Sequence, residues 1–236
     1  MSAPQPSPAA VERHPHLGDA RSPGTVRVDL HSHTMWSGDC TSTPDELVEA
    51  IGAAALDVVC ITDHHAIEGA VRLADELPCR VVVGEEMRTH HGELIGLFLT
   101  ERVPQGLDPV ETARRIRDQG AVVYVPHPFD PMRNNLAEPA LVDLVERGLV
   151  DAIEVINSKT SLSSLNRRAA DFAAEHGLLA GAGSDAHVPN AFGAAYVEMA
   201  DFDGPASFLE SLREGTPIGH HSDPPRPWTP RIIPSM

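Results

Sequence analysis

Aromatic residues make up only 4% of this 236-residue chain, which also holds three cysteines and a single lysine. Each scarcity excludes something. Cys40, Cys60 and Cys79 are odd in number and lack metal-type spacing, so neither a disulfide framework nor a cysteine metal site is built here, and a reducing, cytoplasmic setting is expected. Cys60 lies inside an apolar run and reads as a small buried hydrophobe. Few aromatics leave no stacking platform for single-stranded nucleic acid; Trp36 is the main ring near the motifs described below. Positive charge is scarce as well: 18 Lys and Arg against 34 Asp and Glu give a net charge of −16. A surface that wraps a long polyanion should be basic, so an extended nucleic-acid surface is not expected. Carboxylates clustered around divalent ions are neutralised locally, which keeps a small phosphorylated substrate or a nucleotide compatible. No run approaches the length of a membrane span, and residues 1–24 lack the apolar core of a signal peptide.

Histidine, by contrast, is abundant, with 13 residues. Five of them (His14, His16, His176, His220, His221) fall in tails or at a helix end and read as solvated. The others lie near the ends of apolar, β-rich runs at 26–30, 58–62, 80–84, 94–99, 121–126, 152–157 and 178–183, with a weaker run at 194–199. Helical signals alternate with these runs. Thr43-Pro44-Asp45-Glu46 is a capping box with Pro at the first helical position, and Leu47, Ile51 and Ala54 share a face behind it. Asp108-Pro109-Val110-Glu111 repeats that signal, and Gly120 ends the helix. Leu141, Leu144 and Val145 mark another, 165–176 a further one stopped by Gly177, and 205–214 the last. The β-then-α order predicts one α/β domain over residues 25–221, a parallel sheet covered by helices. Residues 1–24 and the Pro-rich tail 222–236 are expected to be disordered, and Pro224-Pro225-Arg226-Pro227 reads as a loose end rather than a partner motif. A barrel is favoured over an open doubly wound sheet. The first strand is followed by His-Ser-His, where a phosphate-binding sheet would place glycines, and a barrel gathers all its strand ends in one ring.

Those strand ends carry the chemistry. His31 and His33 are two apart on an extended segment and can point to one side. Asp39 follows in a loop able to fold back. Asp63-His64-His65 ends the second strand, and Glu85-Glu86 follow the third, where paired carboxylates repel unless a cation compensates them. Pro126 and Pro128 stiffen the backbone at His127. Asp185 and His187 follow the glycine-bearing strand at 178–183. Imidazoles and carboxylates from so many strand ends, aimed at one rim, point to a multinuclear metal site.

The order His-x-His, Thr-Asp-His, Gly-x-Glu, Pro-His-Pro and Ser-Asp-Ala-His, from about Val26 to about Met199, resembles the polymerase and histidinol phosphatase (PHP) superfamily. The resemblance implies a distorted (β/α)7 barrel that binds two to three divalent ions (Mn, Fe or Zn) and hydrolyses phosphate esters. It implies a first ion on His31, His33, Glu86 and Asp185, a second sharing Glu86 and adding His127, and a third on Asp39, His64 and His187. Two positions depart from the pattern. The loop aspartate usually comes one residue earlier than Asp39. Glu93 stands where many members supply a histidine, and it is either a replacement ligand or a solvated side chain without a metal role.

The reaction expected is attack by a metal-bridged hydroxide on the phosphate ester of a small molecule or nucleotide. Asp185 or His187 relays a proton to the leaving oxygen. Arg133 and the lone Lys159 are the candidate cations for the phosphate oxygens; Arg133 could instead pair with Asp130, and Lys159 could be a solvated loop residue. Arg167 and Arg168 read as solvent-facing helix residues. Three other readings stay open: an exonuclease or phosphodiesterase acting on short oligonucleotides or nucleoside bisphosphates, a binuclear-metal amide hydrolase, and a non-catalytic docking domain. Amide hydrolases of this geometry commonly bridge their ions with a modified lysine, for which Lys159 is misplaced. Filled ligand positions argue for activity. Nothing in the sequence fixes the oligomeric state.

Overall fold

The computed structural model describes residues 14, 21–40 and 42–225. The nine strands among them are β1 (Thr25–Ser32), β2 (Val58–Ile61), β3 (Arg80–Thr89), β4 (Gly92–Leu97), β5 (Val122–Val125), β6 (Ala152–Asn157), β7 (Leu179–Gly183), β8 (Ala195–Ala200) and β9 (Thr216–Gly219). They form one sheet in the order β7-β6-β5-β4-β3-β2-β1-β8-β9. The sheet curls until β7 meets β1. There the Asp185 N–H donates to the His31 carbonyl at 2.7 Å and the His33 N–H to the Ala186 carbonyl at 3.0 Å. The result is a nearly closed barrel, with β8 and β9 added beside the seam.

The six α-helices among the described residues are α1 (Pro44–Ala54), α2 (Glu68–Leu73), α3 (Pro109–Asp118), α4 (Glu138–Glu146), α5 (Ser163–His176) and α6 (Pro205–Arg213). The capping box of α1 forms as the sequence predicts, Thr43 and Glu46 satisfying each other's backbone N–H groups. Asp108 caps α3 by accepting from the Val110 N–H at 2.9 Å, and Gly177 ends α5 in the left-handed region at φ 65°. Helix α2 carries no side-chain cap, so no capping signal marks it along the chain. Leu47, Ile51 and Leu73 are buried under α1 and α2 against Val59 and Ile61 of β2; each contributes about 1.5–3 kcal/mol of burial. Leu30, Val82, Leu97 and Tyr124 fill the barrel interior, and α3, α4 and α5 cover the β4–β6 side.

The barrel departs from the fully parallel sheet expected. Strand β4 runs antiparallel to both β3 and β5. Only His90 and His91 link β3 to β4, too short a connection for a parallel crossover. The ladder with β4 also carries β3 beyond Gly84 to Thr89. Strand β8 is antiparallel to β1, and β9 extends that edge.

The described residues reach into both segments expected to be disordered. Arg21 pairs with Asp57 at 2.9 Å, and the Ser222 N–H donates to the Ser158 carbonyl at 2.8 Å. The rest of those segments, with His16 and Pro227, lies outside the described residues. His176 and His221 are exposed, as expected, whereas the solvated reading is corrected for His14 and His220, which are half-buried with His14 Nδ1 3.1 Å from His220 Nε2. No helix among the described residues is long and apolar enough to cross a membrane.

Candidate metal centre

The strand ends deliver their side chains to one cleft of about 360 Å³. His31 and His33 are fully buried there with Glu86. Their Nε2 atoms lie 3.0 Å apart, and each is 3.4 Å from Glu86 Oε2. Asp185 Oδ1 faces the same two rings at 3.9 and 3.5 Å. Across Glu86, the other oxygen, Oε1, is 3.0 Å from His127 Nε2. Glu86 thus faces both sides of the cluster, and His64 Nδ1 approaches its Oε2 at 3.2 Å.

Local backbone explains the aim. His127 and Asp185 adopt left-handed conformations, φ 28° and 50°, which cost non-glycine residues about 1–3 kcal/mol each. Such angles turn the chain sharply at a strand end and point the side chain into the cleft. Gly183 makes the close approach possible: a Cβ there would meet His31 Cβ at 2.3 Å and Glu154 Oε1 at 2.5 Å. The shifted aspartate reaches the cleft too. Residues Met35–Ser37 form one turn of 3-10 helix that ends at Gly38 (φ 81°), and Asp39 then places Oδ2 3.0 Å from His187 Nε2 and 3.7 Å from His64 Nε2.

The donor chemistry fits divalent ions. His31 Nδ1 meets Glu154 Oε1 at 3.2 Å; a carboxylate only accepts, so Nδ1 carries the proton and Nε2 a lone pair. His33 Nδ1 lies 2.9 Å from Ser37 Oγ, which also accepts the His64 N–H and hydrogen-bonds Asp63. The serine proton goes to that carboxylate, so His33 Nδ1 likewise carries its own. Two buried lone pairs 3.0 Å apart repel unless a cation lies between them or one ring is protonated. His31 is the ring that takes a proton: burial opposes the charge, but Glu154, Glu86 and Asp185 outweigh it and raise its pKa well above the usual histidine value. Among the described residues, four sets of three donors lie within 4.8 Å of one another: His31–His33–Glu86, His31–His127–Asp185, His33–His64–His187 and His64–Glu86–Glu93.

Both candidate cations converge on Asp185. Lys159 is buried, with Nζ 3.2 Å from Asp185 Oδ1 and 2.9 Å from His187 Nδ1, so it is no solvated loop lysine. Arg133 lines the cleft, as a candidate cation should, and places Nη2 3.0 Å from Asp185 Oδ2. Burial would raise the Asp185 carboxyl, yet Lys159, His31 and Arg133 hold it well below the ordinary range. Arg167 and Arg168 are exposed, as expected; the Arg168 guanidinium lies 4.1 Å from the Phe129 ring centroid and pairs with Glu138 at the surface.

Glu93 is 3% exposed, which removes the solvated reading. Three outer carboxylates escaped the sequence reading in their roles. Glu154 holds the His31 ring and also accepts the His127 N–H at 2.6 Å. Asp29 accepts the Ser184 N–H at 2.9 Å, with burial pushing its carboxyl up to about 7. Asp63 takes both the Thr34 N–H and hydroxyl at 2.6 Å, so it supports the loop rather than joining the cluster. For Glu154 and Asp29 the available signal was a single acid inside a buried strand, which needs a partner to be tolerated.

Comparison with known proteins shows the family. Residues 29–113 match the model of the PHP domain, and 163–217 that of the PHP-associated region. The chain belongs to the PHP superfamily. An uncharacterized protein of Methanocaldococcus jannaschii is 34% identical over 197 residues, 80% of this chain and 79% of that one. The error-prone DNA polymerase of Mycobacterium tuberculosis is 39% identical over 115 residues, 41% of this chain but 10% of the polymerase. A crystal structure from Bacteroides vulgatus, of a two-domain protein containing a predicted PHP-like metal-dependent phosphoesterase, superposes with a TM-score of 0.67 at 20% identity, covering 85% of this chain and 67% of that one. This likeness bears on the fold alone.

Proposed function

We propose that this PHP protein is a metal-dependent phosphoric ester hydrolase acting on a small phosphorylated molecule or nucleotide. The observation that carries the reading is the meeting of a polynuclear donor set with two cations, Lys159 and Arg133, on one carboxylate, Asp185. His31, His33, Glu86 and Asp185 would hold one ion, Glu86 and His127 a second, and Asp39, His64 and His187 a third. Mn, Fe and Zn all suit such imidazole and carboxylate donors. Divalent ions there supply Lewis acidity, which acidifies water and offsets negative charge on phosphate oxygens.

The chain's own groups do the rest. Arg133 presents a planar fork suited to two non-bridging phosphate oxygens, and Lys159 adds a buried positive charge behind Asp185. Asp185, held ionised, orients both cations and is a poor proton donor. His187 is the proton carrier for the leaving oxygen in a two-ion enzyme and a ligand in a three-ion one. Asp39 faces its Nε2 and steadies a proton there.

A diester substrate is the second reading, favoured by the similarity to error-prone DNA polymerases. The net charge of −16 favours a small substrate over a long strand. A paired assay on Mn-loaded protein, with Asp185→Asn as control, tests both. Phosphate released from monoesters alone supports the first reading; mononucleotides from short oligomers support the second. No hydrolysis in either arm by metal-loaded protein overturns both.

A further inference from the structure

The chain returns to the metal centre after β9. The His220 N–H donates to the Ala194 carbonyl at 3.0 Å, and the Ser222 N–H to the Ser158 carbonyl at 2.8 Å. Ser158 Oγ in turn donates to the Ser184 carbonyl at 2.6 Å and lies 3.4 Å from the Ser222 carbonyl. Ser158 and Ser184 are fully buried and adjoin Lys159 and Asp185 in sequence. The strap 220–225 is therefore fastened to the backbone that carries the Lys159–Asp185 ion pair. The next residue, Asp223, is exposed. Pro224 and Pro225 follow it, and a residue before proline is confined to extended conformations. Asp223 is thus held from both sides, by the serine clip and by the proline pair. Its carboxylate acts on Arg133: burial opposes the guanidinium charge, but Asp185 and then Asp223 outweigh it, ahead of Glu86 and Asp130.

We propose that Asp223 is a specificity-determining residue of this site: the strap holds its carboxylate on the Arg133 side of the cleft, where it disfavours substrates that carry a second anionic group beside the scissile phosphate. The favoured substrates are phosphate esters whose leaving group is uncharged at that place or offers it hydroxyl or amino hydrogens. The proposal rests on the phosphoesterase reading and deepens it. Lys159 and Arg133 bring two positive charges to this side of the site, and Asp185 and Asp223 bring two negative ones. The scissile phosphate has the metal donor set to rely on, but no positive charge is left over for a second anion. A phosphate or carboxylate reaching past Arg133 meets a like charge in a cleft already lined by Asp39, Glu86, Glu93 and Asp185. A hydroxyl or ammonium group there meets a carboxylate acceptor instead.

The test is anion binding by the full-length, Mn2+-loaded protein, read by calorimetry. The probes are two phosphonates, whose C–P bond does not hydrolyse: propylphosphonate, and 3-phosphonopropionate, which carries a carboxylate where the first has a methyl group. The unaltered protein is expected to prefer propylphosphonate. Asp223→Asn is expected to shift the affinity ratio toward 3-phosphonopropionate by about threefold or more at low salt, and the shift fades at about 1 M salt as the charges are screened. Ser222→Pro keeps the charge but removes the N–H of the clip, and is expected to shift the ratio the same way. Asp118→Asn makes an equal change of net charge at the end of α3 that leads into β5, and is expected to leave the ratio alone. Circular dichroism checks that each variant folds; should Ser222→Pro not fold, Asp223→Asn decides. An unchanged ratio in Asp223→Asn, or an equal shift in Asp118→Asn, overturns the proposal and leaves the phosphoesterase reading standing. Metal-loaded protein that binds neither phosphonate overturns both.

Discussion

Glu154 holds the His31 ring by its Nδ1, 3.2 Å from Oε1, from a strand that contributes no residue to the proposed ligand set. The same carboxylate fixes the His127 backbone through its other oxygen. Two proposed ligands of different ions therefore share one outer support. Glu154→Gln is expected to lower metal affinity about 10–100-fold, measured by calorimetry, with little change in circular dichroism. Unaltered affinity would show that the rings hold their orientation by packing alone.

Glu86 places one oxygen toward His31 and His33 and the other toward His127. Glu86→Gln is expected to remove metal from two positions together, read by elemental analysis of the purified protein. Loss from a single position would mean that Glu86 is not shared.

Gly183 has a Cβ-sized gap filled by His31 and Glu154. Gly183→Ala is expected to cost about 1–3 kcal/mol and to lower the melting temperature. The same change at Gly120, whose Cβ would meet nothing within 4 Å but whose φ is 73°, tests backbone strain without crowding. Metal affinity should fall in the first variant and not in the second.

Glu85 gives a pH prediction. It is buried beside the Val103 N–H at 2.8 Å, and burial pushes its carboxyl up to about 7 from an ordinary 4.5. Below about 4.5 both folded and unfolded chains hold the proton, and Glu85 costs nothing. As pH rises from there to about 7 the unfolded chain releases its proton first, so stability falls across that window and the cost is complete above it. Glu85→Gln should flatten this fall in denaturant titrations of metal-free protein; an identical pH profile would discount Glu85 as its source.

Much of this was legible from residue order. Apolar runs ending in His or Asp marked the rim because buried strands need their polar groups at the ends. The antiparallel β4 was not legible: its run looks like any buried strand, and only the two-residue link through His90 and His91 reveals the reversal. Glu154 and Asp29 were passed over because attention fell on strand ends, while these acids sit inside strands. Arg133 was seen, but its partner depends on a loop path that brings it to Asp185 instead of nearby Asp130. Such pairings are set by tertiary distance, which spacing along the chain does not encode.

The seam between β1 and β7 is closed by the His31, His33, Asp185 and Ala186 backbones, the first three of them residues of the candidate metal site. Donors on either side of it, His31 and His33 on one lip and Asp185 on the other, would grip a shared cation and clasp the two ends of the sheet across more than 150 residues of chain. By mass action, an ion that binds only the folded chain adds its binding free energy to folding, more so as its concentration rises. The barrel's resistance to heat and proteolysis then becomes a gauge of how well the surrounding solution supplies metal.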